Sequence, residues 1–200
     1  MQHDLEQTTQ LVTQLQQAHR LAVGFYQRIL PLFDQIANQA LEAEFWYWEP
    51  SETSRPCQAR TRPSCSWAWD YLPLFASNHV YRNWDGNTAQ RGDQTLVFRL
   101  YIDNAFRQDS SLRSKSKGQP NPLQMDGDAV VEVSLFRCLQ DSHQRFDELW
   151  HDLPWPTHQL DWQQSQECSL LEVCSLHVSL ALLLADPESI TQWIKTTSNR

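Results

Sequence analysis

The chain has 200 residues, of which 40% are apolar and 20% charged, and its 24 acids and 16 bases give a net charge of −8. That length carries one hydrophobic core without staples, and the composition excludes a disordered chain. The longest apolar run, Leu180–Ala185, is far short of a membrane span.

The charge is uneven. Residues 1–54 hold seven acids and two bases, residues 55–117 ten bases and five acids, and residues 118–200 twelve acids and four bases. An acidic body around a basic middle attracts an anionic partner at one place and repels it elsewhere. The N-terminus, Met1-Gln2-His3-Asp4, has neither the basic nor the apolar region of a secretory signal. The five cysteines are an odd number and contain no C-x-x-C, so reduced thiols in a cytoplasmic protein are expected.

In chain order, Leu5, Val12, Leu15, Ala22, Tyr26, Ile29, Phe33, Ile36 and Ala40 recur at spacings of three and four, with Thr8 and His19 in the remaining slots. This predicts one long amphipathic helix within residues 1–43, its narrow stripe covering a sheet or pairing with a second copy of the chain. Pro31 removes a backbone donor, so a kink or split is expected near Gln27–Leu30. From Glu44 the period becomes two, with Phe45 and Tyr47 on one face and Trp46 and Trp48 on the other, as in a strand covered on both sides. Residues 51–66 read as a loop, and Pro73 leaves the state of residues 67–80 open.

Residues 95–103 form the clearest strand. Leu96, Phe98, Leu100 and Ile102 face one way; Val97, Arg99, Tyr101 and Asp103 face the other. A long excursion over residues 107–128 follows, then a second strand over 129–138 with Val131, Val133 and Leu135 alternating against Glu132 and Ser134. Asp141 caps a short helix carrying Phe146, Leu149 and Trp150, which Pro154-Trp155-Pro156 stops. Residues 170–184 read as a strand, and Asp186-Pro187-Glu188 opens a last helix over 186–197. The fold class is therefore α+β in a single domain, 1–200. It comprises a long kinked N-terminal helix, a mostly antiparallel sheet of four to five strands within 44–184, and a short C-terminal helix. One sheet face takes the helix, and the other, with Arg99, Tyr101, Asp103, Glu132, His177 and Ser179, is distinctly more polar.

Catalytic signatures are lacking. Five scattered glycines make no phosphate loop, no G-x-S-x-G or H-E-x-x-H occurs, and His143, His151 and His158 lack metal-ligand spacing. No metal and no cofactor is expected. Cys174 and His177 point to opposite faces of a strand, which argues against a nucleophile–base pair.

The strongest functional signal is the tryptophan-rich, arginine-threaded middle. Five of the nine tryptophans fall between Trp46 and Trp84. Arg55, Arg60, Arg62, Trp67, Trp69 and Arg82 are the candidate site, with rings for stacking and planar guanidinium groups for an anion. The plain alternative is that these rings are core. The leading reading is a non-enzymatic binding protein, an accessory subunit, with a basic aromatic surface for an anionic partner. That partner is another protein first, a nucleic acid or phosphorylated ligand second, and not a membrane. A homodimer through the N-terminal helix is the further possibility. The alternative is an enzyme acting on a phosphorylated or nucleic-acid substrate with Glu49, Asp70 and Asp103 gathered at the sheet edge beside Arg99 or His177.

Overall fold

The computed structural model describes residues 4–53, 62–84, 86, 88–107 and 120–200. Its first element, α1 (Leu5–Leu41), is a single helix of 37 residues, roughly 55 Å long at the usual rise per residue. Asp4 caps it by accepting from the Glu6 N–H at 3.2 Å. It ends where Glu42 takes the left-handed conformation, φ 53°, and its N–H reaches the Asn38 carbonyl at 2.9 Å. The expected split at Pro31 does not occur, because the helix continues through it. Proline there removes one hydrogen bond, and the packing of Ile29, Phe33 and Ile36 on the sheet holds the helix on both sides of the gap.

Six strands follow: β1 (Glu44–Pro50), β2 (Ala76–Arg82), β3 (Gln94–Tyr101), β4 (Val130–Cys138), β5 (Gln159–Gln164) and β6 (Leu171–Ser179). They form one antiparallel sheet in the order β1-β2-β3-β4-β6-β5. The sheet therefore exceeds the expected four to five strands. Two features account for this. β2 begins directly after the interruption at Pro73, and β5 is a polar edge strand whose Gln-rich sequence carries little apolar alternation. Between β4 and β5 lies the short helix α2 (Phe146–Trp150).

The apolar run after β6 turns helical. Ser179 ends the strand and accepts from the Leu182 N–H at 3.2 Å, capping α3 (Leu180–Ala185). Asp186 then caps α4 (Pro187–Ser198), with Pro187 in the first turn. The strand expected over 170–184 is thus a strand to Ser179 and a helix beyond it.

The core has one large cluster between the sheet and the helices. Leu96, Phe98 and Leu100 of β3 and Val131, Val133 and Leu135 of β4 meet Ile29, Phe33, Ile36 and Ala37 of α1 and Ile190 and Ile194 of α4. Phe33 is fully buried and stacks flat on Phe98, with ring centroids 4.5 Å apart. The opposite sheet face carries two smaller aromatic clusters. One joins Val80, Val97, Phe136, Phe146 and Trp150; the other joins Trp69, Ala76, Tyr101 and Phe106.

Phe33→Ala removes a ring that fills the junction of helix and sheet. Urea denaturation is expected to show a loss of about 3–5 kcal/mol. A change within a few tenths of that unit would mean that the helix is not seated there.

Candidate functional site

Strand register places a polar row across the face opposite α1. Glu49 of β1 pairs with Asn78 of β2, Asn78 with Arg99 of β3, Arg99 with Glu132 of β4, and Glu132 with His177 of β6. Alternation along each strand puts these five side chains on the same side. The row runs between the two aromatic clusters of that face, with Val97 and Phe136 on one flank and Tyr101 and Phe106 on the other.

The centre of the row is an ion-paired network out of water. Arg99 is 5% and Glu132 3% exposed. The Arg99 Nη1 donates to Glu132 Oε2 at 2.7 Å, and Arg107 donates to Glu132 Oε1, so both carboxylate oxygens are engaged. Arg99 Nη2 donates to the Tyr101 hydroxyl at 2.6 Å, and that hydroxyl donates to Glu52 Oε1 at 2.9 Å. The Arg99 guanidinium also lies 4.3 Å from the centre of the Trp155 ring. Burial pushes the Tyr101 hydroxyl well above its ordinary value, so it stays protonated and keeps its donor role.

At the far end, the His177 N–H donates to His158 Nδ1 at 3.0 Å, and the two rings lie 5.6 Å apart. Burial lowers the pKa of His177, against the opposing pull of Glu132. Glu132, clamped by two guanidinium groups, serves as a tether between β3, β4 and the segment after β3 rather than as a base aimed at a substrate.

The acids expected at the sheet edge are dispersed. Asp70 accepts from the Trp67 N–H at 3.2 Å and closes a 3-10 turn. Asp103 accepts from the Ala105 N–H at 2.9 Å and the Gly127 N–H at 3.1 Å. A side chain at Gly127 would strike that carboxylate, so glycine is required for the approach. Glu49 and His177 share the polar row but stand four strand spacings apart, about 19 Å. Asp70 and Asp103 are turn caps, and no single pocket gathers these groups among the described residues.

The residues of the basic, aromatic candidate site fall in different surroundings. Arg55 and Arg60 lie outside the described residues. Arg62 is exposed and Trp67 half-buried. Trp69 is core: it packs on Phe75 and Phe106, and its indole N–H donates to the Pro120 carbonyl at 2.9 Å. Arg82 lies between the rings of Trp46 and Trp84, 4.9 and 5.0 Å from their centres. Trp69 packs beside the start of β2 and Arg82 ends that strand, so about 20 Å separates them. Cys65, Cys138, Cys168 and Cys174 are free thiols, and Cys57 lies outside the described residues.

The first part of α1 is the feature that composition did not single out. Residues 4–24 are exposed throughout, whereas Ile29, Phe33, Ile36 and Ala37 are buried. Leu5, Val12 and Leu15 lie on the same seven-residue seam as those buried positions, yet they are 79%, 50% and 58% exposed. Leu11, beside the seam, is also exposed. About 30 Å of helix thus extends past the sheet with its apolar stripe uncovered.

The fold defines an α+β protein with one antiparallel sheet covered on both faces. The chain belongs to the PM0109 family, whose profile matches residues 5–195. Comparison with the curated proteins and with the solved structures returns no match. No described helix is long and apolar enough to cross a membrane.

The buried network yields a direct expectation. Glu132→Gln keeps the shape but leaves Arg99 buried without its counter-charge, and a loss of about 3–5 kcal/mol in urea denaturation is expected. Asp161→Asn, which breaks the exposed pair with Arg200, should cost less than about 1 kcal/mol.

Proposed function

We propose that this chain is a non-enzymatic interaction protein, that residues 5–24 of α1 are its docking element, and that the partner is a second copy of the chain. The observation that carries the reading is the unbroken seam. The stripe that is core at Ile29, Phe33 and Ile36 continues in register through Leu15, Val12 and Leu5 with none of the described residues burying it. This segment is helical without the tertiary packing that supplies most helix stability in proteins. Its local support is the Asp4 cap, whereas the Thr8, Thr9 and Thr13 hydroxyls bond to carbonyls four residues back, which slightly weakens a helix.

Two properties of the segment favour self-pairing. In an antiparallel arrangement Val12 meets Leu15, Leu5 meets Ala22, and the two polar seam residues, Thr8 and His19, meet each other. The segment also carries one acid, Glu6, and one fixed base, Arg20, so it is neutral in a chain of net charge −8. Two such chains repel at their bodies, and this neutral, Gln-rich helix lets them approach. The basic middle supplies the second arm of the reading. Exposed Arg62 and Arg91 are described bases there that suit an anionic partner, whereas Trp69 and Arg82 are taken up by internal contacts.

Sedimentation velocity at two concentrations tests the docking. The native chain is expected to shift from monomer toward dimer as concentration rises. Val12→Asp with Leu15→Asp is expected to stay monomeric with an unchanged melt of the body. A native chain that stays monomeric throughout would overturn the self-pairing.

A further inference from the structure

The sheet edge beside α1 carries a site of a different character. α1 seats its seam on the central strands and leaves the helix-side face of β1 partly open. The result is a cleft of about 330 Å³, lined by Leu30 and Asp34 of α1, Phe45 and Trp48 of β1, and His79 and Tyr81 of β2.

A β-bulge builds it. In a regular strand Phe45 and Trp48, three residues apart, face opposite ways. The register shifts between Phe45 and Tyr47, so Phe45 opposes Tyr81 and Trp48 opposes His79, both on the α1 side. Phe45 and Trp48 remain 51% and 43% exposed. Two large rings left half in water at a concave edge mark a binding surface more often than an isolated apolar residue does.

The polar groups set its sign. The Tyr81 hydroxyl donates to Asp34 Oδ1 at 2.7 Å and so fixes the carboxylate. Burial, together with the Asp34 hydrogen bond, pushes the Tyr81 hydroxyl well up, so it remains a donor. His79 is buried and held down to about 4, chiefly by desolvation, so its ring is neutral at neutral pH. Its Nε2 lies 3.0 Å from the Ser77 hydroxyl. Among the described lining residues, Asp34 alone carries a carboxylate, and no lysine or arginine stands beside it. The surrounding stretch, residues 25–50, holds four carboxylates and one arginine.

We propose that this cleft binds a small organic cation, an ammonium group on a compact aromatic or apolar body, with Asp34 as counter-ion and the Trp48 and Phe45 rings as walls. Ring faces attract cations, and a carboxylate at the same site adds a charge-assisted hydrogen bond. An anion would meet Asp34 with no cation in the lining. A neutral apolar ligand would strip water from Asp34 without replacing it. The volume falls at the small end of ligand pockets, which suits a single-ring amine. The site is separate from residues 5–24, so it does not depend on the docking of α1.

Titration of the isotope-labelled chain with phenethylammonium, and with phenethyl alcohol as its neutral counterpart, is the test. The indole N–H resonance of Trp48, assigned by its loss in Trp48→Phe, is expected to move with the ammonium. Asp34→Asn keeps an acceptor for Tyr81 and removes the charge. It is expected to weaken ammonium binding about tenfold or more, down to the level of the alcohol. Trp48→Phe should retain binding, read at the Tyr81 and His79 amides, and Trp48→Ala should lose it. Thermal melts of the variants show that the fold is kept, and the Asp34 variant, at an exposed position, carries the test if the tryptophan variant does not fold. Equal binding of ammonium and alcohol, an Asp34→Asn chain that binds as the native chain does, or a Trp48 resonance unmoved at millimolar ammonium would overturn the proposal.

Discussion

The flat contact of Phe33 on Phe98 fixes where α1 sits, and much of the molecule follows from that seat. The ring is fully buried, with Ile29 and Ile36 one turn to either side along the same seam. Because the seam is anchored on the central strands, the part of α1 before residue 25 runs beyond the sheet, and the edge strand β1 is left partly open. The uncovered stripe and the cleft at Asp34 are thus two consequences of one packing choice. Lengthening a helix past the surface that covers it leaves its apolar side in water.

The other sheet face answers a different constraint. A six-stranded sheet with helices on one side must cover its second side, and here short 3-10 turns, α2 and tryptophan-bearing loops do so. Between the two aromatic clusters the charges of the polar row would be costly to bury without their counter-charges. Arg99 and Glu132 face each other directly in the β3–β4 register, and Arg107 and Tyr101 add further hydrogen bonds. Slipping that register by one residue would turn Arg99 toward α1 and leave its charge among Phe33 and Leu135. The network therefore specifies register as much as it stabilises it.

Much of this architecture was legible in the sequence because the periods are clean. The alternation of residues 95–103 and 129–138 gives β3 and β4 and separates Leu96 from Arg99, so the polar face was readable before any coordinates. The cap and proline at Asp186-Pro187 gave α4 directly. Three features were hidden for physical reasons. The bulge in β1 puts Trp46 and Trp48 on opposite faces and Phe45 on the same face as Trp48, against simple alternation, and nothing in Phe45-Trp46-Tyr47-Trp48 marks where the extra residue falls. The switch at Ser179 lies inside a mostly apolar stretch, residues 170–185, where strand and helix look alike over a few residues. The tryptophans of the middle segment read as one cluster along the chain. In space Trp69 and Trp84 belong to separate cores and Trp48 to an open edge. Asp34 carried no signal, because a lone acid off the apolar seam is an ordinary solvated residue until Phe45, Trp48 and Tyr81 are brought beside it.

The central claim is that the seam over residues 5–24 is covered by its own copy in solution. Amide hydrogen exchange across a concentration series tests it most directly, because it reads the segment itself and needs no substitution. The account predicts that protection over residues 5–24 rises with concentration, while amides near Ile29, Phe33 and Ile36 stay equally protected throughout. Exchange over residues 5–24 at the rate of an unstructured peptide, unchanged at every concentration, would contradict it.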